Sequence, residues 1–337
     1  MSGSVGDLLS AKNLEILASH KVEDILRKSI DVHSVLETDH PEVALKKLNK
    51  FQILSLPVYT SDSTHKFKNF INILDLVTFI MRIVQIHRKE STFSSQSWQE
   101  ILNTESMWRN ATCGMIIKDF KLQQEKCLYL SSDSSVSSLV RAVFTLRSFH
   151  RIAVFNNVND TKLLGIITQG TLVRYLYNIL DHSDPFFLQS IDVLHLDHST
   201  THFVNQNVTI SKAFELCRAH HMNGVGVVDD EGKLIGNVSA SDMRNVQNYT
   251  VDDIVKFCSK PCAWLKVYAA KECYPIPISV SPDVNINDVL NLFVGTRIHR
   301  VYVIDQDKKP LSVIQLGDII SLISDNFKAL ACKKKRE

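Results

Sequence analysis

The chain writes one pattern twice with the same internal spacing. Asn207 to Met243 reads NVTISKAFELCRAHHMNGVGVVDDEGKLIGNVSASDM, and Asp283 to Ile320 reads DVNINDVLNLFVGTRIHRVYVIDQDKKPLSVIQLGDII. Each copy starts with a polar cap and an i, i+3, i+4, i+7 apolar stripe: Ile210, Ala213, Phe214 and Cys217, then Ile286, Val289, Leu290 and Phe293. That period predicts an amphipathic helix. A β-branched run follows, then a turn rich in Asp, Gly and Lys, then a second strand, then Ser-Asp or Gly-Asp opening another helix. Ile210 precedes Asp242 by 32 residues, and Ile286 precedes Asp318 by 32. Equal spacing across two whole elements marks an internal repeat.

Two looser copies lie upstream. Ser134 to Leu176 carries the stripe Val136, Leu139, Val140 and Val143, and Pro41 to Ile80 carries Ala44, Leu45 and Leu48. Each unit is predicted as helix, strand, strand, helix. One such small sheet leaves a face bare, so units must pair to bury it. The expected fold is α/β (α+β): four units in two pairs, forming a pseudo-symmetric disc. The expected boundaries are 20–86, 112–180, 190–258 and 265–327, with a linker at 87–111 and a basic tail at 328–337.

Composition narrows the function. The chain has 337 residues, 45% hydrophobic and 22% charged, as in soluble globular proteins. A net charge of +2 gives no global drive toward nucleic acid. Charges interrupt every apolar run before the roughly 18 residues of a membrane span, and the N-terminus lacks the basic start and apolar core of a signal peptide. Seven scattered cysteines predict reduced thiols and a cytoplasmic or nuclear location. Cys258 and Cys262 are the one close pair, without the second pair of a zinc knuckle. The run Lys333 to Glu337 reads as a solvated terminus or an import signal. No P-loop, dinucleotide fingerprint, His-Glu metal helix or Gly-x-Ser-x-Gly elbow is present. The expectation is therefore no enzyme and no catalytic cofactor.

The units resemble the cystathionine-β-synthase (CBS) repeat, the building block of Bateman modules. Four in one short chain, with FHRIAVF and IHRVYVID at strands and SASD or QLGD after them, resemble the gamma regulatory subunits of the AMP-activated and SNF1-related protein kinases. That resemblance implies nucleotide sites. Asp75, Asp242 and Asp318 occupy the slot where a carboxylate at a helix start accepts the two hydroxyls of a ribose. Three residues earlier stand Asn72, Thr168, Ser239 and Gln315, where the family prefers Thr or Ser. The second copy has Thr171 in the acid slot, so a weak or empty site is expected there. His150, Arg151, His299 and Arg300 would face the disc's centre and hold phosphates through planar guanidinium forks and imidazole N–H groups. The other two copies carry Leu54-Ser55 and Gly224-Val225 instead. Leu54 and Gly170 stand where the family places further cations. One or two working sites are expected. Simple helix capping remains open for each aspartate, and strand capping or surface pairing for each His-Arg.

The resemblance implies AMP, ADP or ATP as ligand, and a heterotrimer with an alpha-type kinase catalytic subunit and a beta-type scaffold subunit as the assembly. The alternative is a CBS scaffold with weak or lost nucleotide binding.

Overall fold

The computed structural model describes residues 8–26, 32–90, 97–120, 129–145, 150–157, 160, 163–194, 196, 202–246, 248–265 and 277–333. Four three-stranded sheets appear, one per unit. In the first, β1 (Val35–Leu36) lies parallel to β2 (Ser55–Tyr59), which pairs antiparallel with β3 (Phe67–Asn72). The second holds β4 (Tyr129–Ser131), β5 (Arg151–Phe155) and β6 (Leu163–Thr168); the third holds β7 (Phe203–Asn205), β8 (Gly224–Val228) and β9 (Leu234–Ser239). The fourth holds β10 (Ser279–Val280), β11 (Arg300–Ile304) and β12 (Pro310–Gln315). Each unit thus has one more strand than the sequence pattern indicates. That leading strand is two or three residues long, too short to show alternation.

Register proves the repeat. The hairpins begin with Ser55 opposite Asn72, Arg151 opposite Thr168, Gly224 opposite Ser239 and Arg300 opposite Gln315. All four shift register at the same step, after Val58, Val154, Val227 and Val303. A shared bulge re-aims the strand end identically in every unit. The register also corrects one alignment: Gly224 matches Arg300, so the third unit's counterpart of His-Arg is Asn223-Gly224, not Gly224-Val225.

The helices form where stripe and cap coincide. In α10 (Ile210–Ala219) Thr209 caps the start, and Ile210, Ala213, Phe214 and Cys217 are all at most 1% exposed. In α12 (Ile286–Thr296) the Asn285 side chain accepts the Asp288 N–H at 2.8 Å, and Ile286, Val289, Leu290 and Phe293 are buried. Each large apolar side chain so buried contributes about 1.5–3 kcal/mol. In α7 (Val136–Thr145) Val136, Leu139 and Val140 are buried, whereas the side chain of Val143 lies outside the described set.

Four interfaces close the disc. Helices of units 1 and 3 share one core, with α3 (Ile73–Glu90) against α10 and α11 (Val251–Cys258). Helices of units 2 and 4 share another, with α7 and α8 (Gln169–Ile179) against α12 and α13 (Leu316–Lys333). Sheets join units 1 and 2 through Tyr59, Phe70, Phe155 and Leu163, with the Phe67 ring tilted against Phe155 at 5.9 Å. Sheets join units 3 and 4, where Phe203 meets Tyr302 at 6.2 Å. Both faces of each sheet are covered, which explains why GVGVV and RVYVI read as continuous apolar runs.

The connecting segments are packed rather than slack. Residues 8–26, with α1 (Ala11–Ser19), lie on units 2 and 4: Val22 donates to the Ser134 carbonyl at 2.8 Å, and Leu17 is buried. Asp184, ahead of α9 (Pro185–Leu188), accepts from Ser10 N and Asn13 Nδ2, both at 2.8 Å. The stretch read as a linker at 87–111 holds the end of α3, α4 (Trp98–Thr104) and α5 (Ser106–Arg109), with Trp108 buried against Phe79 and His40. After it, α6 (Cys113–Phe120) returns to unit 1, where Cys113 donates to the Asp39 carbonyl. Helix α13 continues through Lys333, into the segment read as a basic tail; residues 334–337 lie outside the described residues. Among the described residues no helix is long and apolar enough to cross a membrane.

Candidate functional site

In every unit the second strand of the hairpin ends at a helix start, and the slot residue is hydrogen-bonded to the residue three positions before it. Asn72 Oδ1 accepts the Asp75 N–H at 3.0 Å while Asp75 Oδ2 accepts the Asn72 N–H at 2.8 Å. The Ser239 N–H donates to Asp242 Oδ2 at 2.5 Å, opening the 310 turn Ala240–Asn245. The Gln315 N–H donates to Asp318 Oδ2 at 2.7 Å. In unit 2 Thr168 Oγ1 accepts the Thr171 N–H at 3.1 Å, and the two hydroxyls lie 2.9 Å apart. The capping role therefore holds at all four slots. At the three acid slots it uses one carboxylate oxygen and leaves the other for a second partner.

That second partner differs between slots. Asp75, 2% exposed, pairs through Oδ1 with Arg218 Nη1 from the end of α10 in unit 3. Asp242, 7% exposed, receives no bond on Oδ1 among the described residues. Burial pushes its carboxyl up to about 6, against the pull of the Ser239 hydrogen bonds and the Arg300 charge. Asp318 is half-buried.

The His-Arg pairs reach across the sheet interfaces. Arg300 is buried, donates from Nη1 to Asn237 Oδ1 at 3.0 Å and shares that oxygen with the Tyr302 hydroxyl at 2.6 Å. Its guanidinium lies on Gly224: a Cβ there would sit 2.6 Å from Arg300 Cζ and 2.7 Å from Ser239 Cβ. Only a glycine at this strand start lets the cation lie beside the Ser239–Asp242 slot. The Arg300 Nε is buried without a partner among the described residues. Arg151 crosses in the same sense onto unit 1, with its guanidinium 6.0 Å from the Phe70 ring centre.

His150 Nε2 lies 3.1 Å from the His221 carbonyl of unit 3, and His150 lines a narrow cleft with Arg151, Thr168 and Gln169. Burial and the Arg151 charge push its imidazole down to about 4. His299 opens toward solvent yet is hemmed in by protein. That crowding, then the charges of Arg300, Arg174, Arg244 and Arg151, push it down to about 4 as well. Four guanidinium charges thus act on one imidazole that keeps more than a third of its surface exposed.

Arg174 and Arg244 carry no motif and the sequence pattern does not single them out. Arg174 Nη1 lies 3.4 Å from where a Cβ on Gly170 would be, and His299 Nε2 lies 3.8 Å from it. A cation from the next turn of α8 thus covers Gly170. The available signal was an arginine three residues after the slot threonine, on the same helix face. His220 and His221 sit exposed at the end of α10, with His220 stacked on His202 at 3.5 Å. Cys113, Cys217, Cys258 and Cys262 are buried and unbridged, and burial raises every one of these thiols. No group of three or more metal-ligating side chains occurs among the described residues.

A family model described as "CBS domain" matches residues 117–178, 196–249 and 273–325, half of the chain and three of the four units. The chain belongs to the CBS-domain family. The first unit joins the other three through its register and bulge. Protein SDS23 of Kluyveromyces lactis is 23% identical over 319 residues, covering 84% of this chain and 58% of that protein. Protein SDS23 of Scheffersomyces stipitis is 24% identical over 168 residues, 48% of this chain and 31% of that protein. The chain spans about half the length of the curated relatives it matches. Among solved structures, a Methanocaldococcus jannaschii protein described as a proposed archaeal homologue of g-AMPK superposes with a TM-score of 0.66. It shares 14% identity, and the match covers 89% of this chain and 98% of that one. At that identity the likeness is one of fold. The close relatives carry the name SDS23 and not that of a kinase gamma subunit.

Proposed function

We propose that this chain is a non-catalytic, adenine-nucleotide-binding regulatory protein, and that its partner is a Ser/Thr protein kinase assembly of alpha-type catalytic and beta-type scaffold chains. One observation carries the nucleotide reading: cations from three units, Arg151, Arg174, Arg244 and Arg300, act on His299, while Asp242, under the charge of Arg300, keeps one carboxylate oxygen unbonded among the described residues. Anionic phosphates would sit in the first group and a ribose diol on the second. Asp318, His150, Arg151, Thr168 and Ser239 complete the proposed site. A ligand that meets several units at once binds one packing of the ring better than another, and so shifts contacts with a partner.

The test has two arms. AMP should raise the melting temperature through linkage, and Asp242→Ala should remove part of that rise. Affinity purification from native extract should recover a Ser/Thr kinase catalytic chain and a glycogen-binding-type chain. A second reading, a scaffold with weak nucleotide binding, is favoured by Thr171 in one slot and by the Asp75–Arg218 pair in another. It expects partner recovery without a thermal shift from AMP, ADP or ATP.

A further inference from the structure

We infer that the acid slot of unit 1 is a self-occupied clasp: Arg218 of unit 3 is its built-in ligand, and a nucleoside enters only by displacing it. This rests on the reading of the acid slots as sugar clasps. Asp75 is 2% exposed and both its oxygens are engaged, Oδ2 by the Asn72 N–H and Oδ1 by the Arg218 guanidinium. A diol needs acceptor capacity on the same carboxylate, and charge-assisted pairing with a guanidinium outcompetes neutral hydroxyls. Asp242 shows the alternative state, with Oδ1 unbonded among the described residues.

The repeat supplies an internal control. Arg218 lies eight residues after Ile210, the first residue of its stripe. At that position the other units carry Asn49, Phe144 and Val294, none of them cationic. The interface between units 4 and 2 mirrors that between units 3 and 1. There Val294 replaces Arg218 and Thr171 replaces Asp75, so the cation and the acid disappear together. At Asp242 the acid stays, the matching position holds Asn49, and one carboxylate oxygen is unbonded among the described residues. Arg218 thus decides which clasps the ring offers.

The lock also couples two units. Arg218 joins α10 to α3, and the same helix pair is tied by Gln85 Nε2 donating to Glu215 Oε1 at 2.6 Å. Displacing the guanidinium from Asp75 removes a cross-ring contact, so occupancy of the first slot and tight packing of units 1 and 3 exclude one another.

Equilibrium dialysis of the whole chain against AMP tests this. Arg218→Gln should bind one more equivalent of AMP per chain than the wild type, and Arg218→Lys, which keeps the charge, should keep the wild-type count. An unchanged count in folded Arg218→Gln overturns the inference. If Arg218→Gln does not fold, the guanidinium NMR signals of 15N-arginine-labelled wild type decide, assigned by their loss in Arg218→Lys. They should stay fixed while the open sites fill and move only in step with one further equivalent of bound AMP; that further equivalent bound with the signals unmoved overturns the lock. Should the wild type bind no AMP at all, the proposed function falls, yet a gain of one equivalent in Arg218→Gln still supports the lock.

Discussion

The two halves of the ring use the same arginine differently. In units 1 and 2, Arg151 rests on Phe70; in units 3 and 4, Arg300 rests on Asn237. The hairpin registers make Phe70 and Asn237 equivalent positions, facing Pro57 and Gly226. The first half therefore sets its cation against an aromatic face, and the second sets its cation in a hydrogen bond to a side chain beside an open acid slot. The acids diverge in parallel, Asp75 being sealed by Arg218 while Asp242 keeps a free oxygen. One repeated geometry has been spent on cohesion in one half and left available in the other.

The same substitution should therefore have different effects in the two halves. Asp75→Asn keeps the cap but leaves Arg218, 16% exposed at its side chain, facing a neutral group. Breaking a mostly buried pair from one side should cost about 3 kcal/mol in urea unfolding. Asp242→Asn also keeps the cap, and it removes a carboxylate that burial already disfavours. At pH 7 its stability should be unchanged or higher by up to about 1 kcal/mol. Equal losses at both positions would erase the distinction between a sealed and an open slot.

A smaller effect probes the room left for Arg300. A Cβ on Gly224 would meet Arg300 Cζ at 2.6 Å and Ser239 Cβ at 2.7 Å. Gly224→Ala should cost about 1–3 kcal/mol through overpacking, and it should weaken AMP binding in the same preparation. The matching position in the first half is Ser55, which already carries a Cβ. Ser55→Ala should thus be near neutral, within about 0.5 kcal/mol.

Much of this fold was legible in advance, for definite reasons. The stripes of α10 and α12 and the aspartates that follow them are local periodicities, and local periodicity survives in sequence. The leading strands did not show because two residues such as Ser279 and Val280 have no alternation to read. The packing of residues 8–26 onto units 2 and 4 did not show because Leu14 and Leu17 fix a helix face and not its target. The site divides the same way. His150, Arg151, His299 and Arg300 were visible as a repeated pair at strand starts. Arg174, Arg244 and Arg218 are helix or turn residues whose positions depend on how units meet. Likewise, the partner of Asp75 could not be read from Asp75.

The smallest effect lies in the pH dependence, where the hub and the open slot pull in opposite directions. His299 is held at about 4 in the fold and titrates near 6.5 when unfolded, so the unfolded chain binds more protons between those values. Its contribution is present above pH 6.5 and is lost as pH falls toward 4. Asp242 is raised to about 6 from 3.8, so the folded chain binds the extra proton, and stability falls as pH rises through that window. His299→Gln should remove its share of the acid-side loss and flatten the rise in stability from pH 4 to 6, read from urea midpoints, while His150, also held at about 4, keeps its own share against the Asp242 decline. Asp242→Asn should do the reverse and steepen the rise with pH. A pH profile of His299→Gln that overlays the wild type would mean that the gathered guanidinium groups do not act on this imidazole, and that the centre of the ring is less positive than its geometry implies.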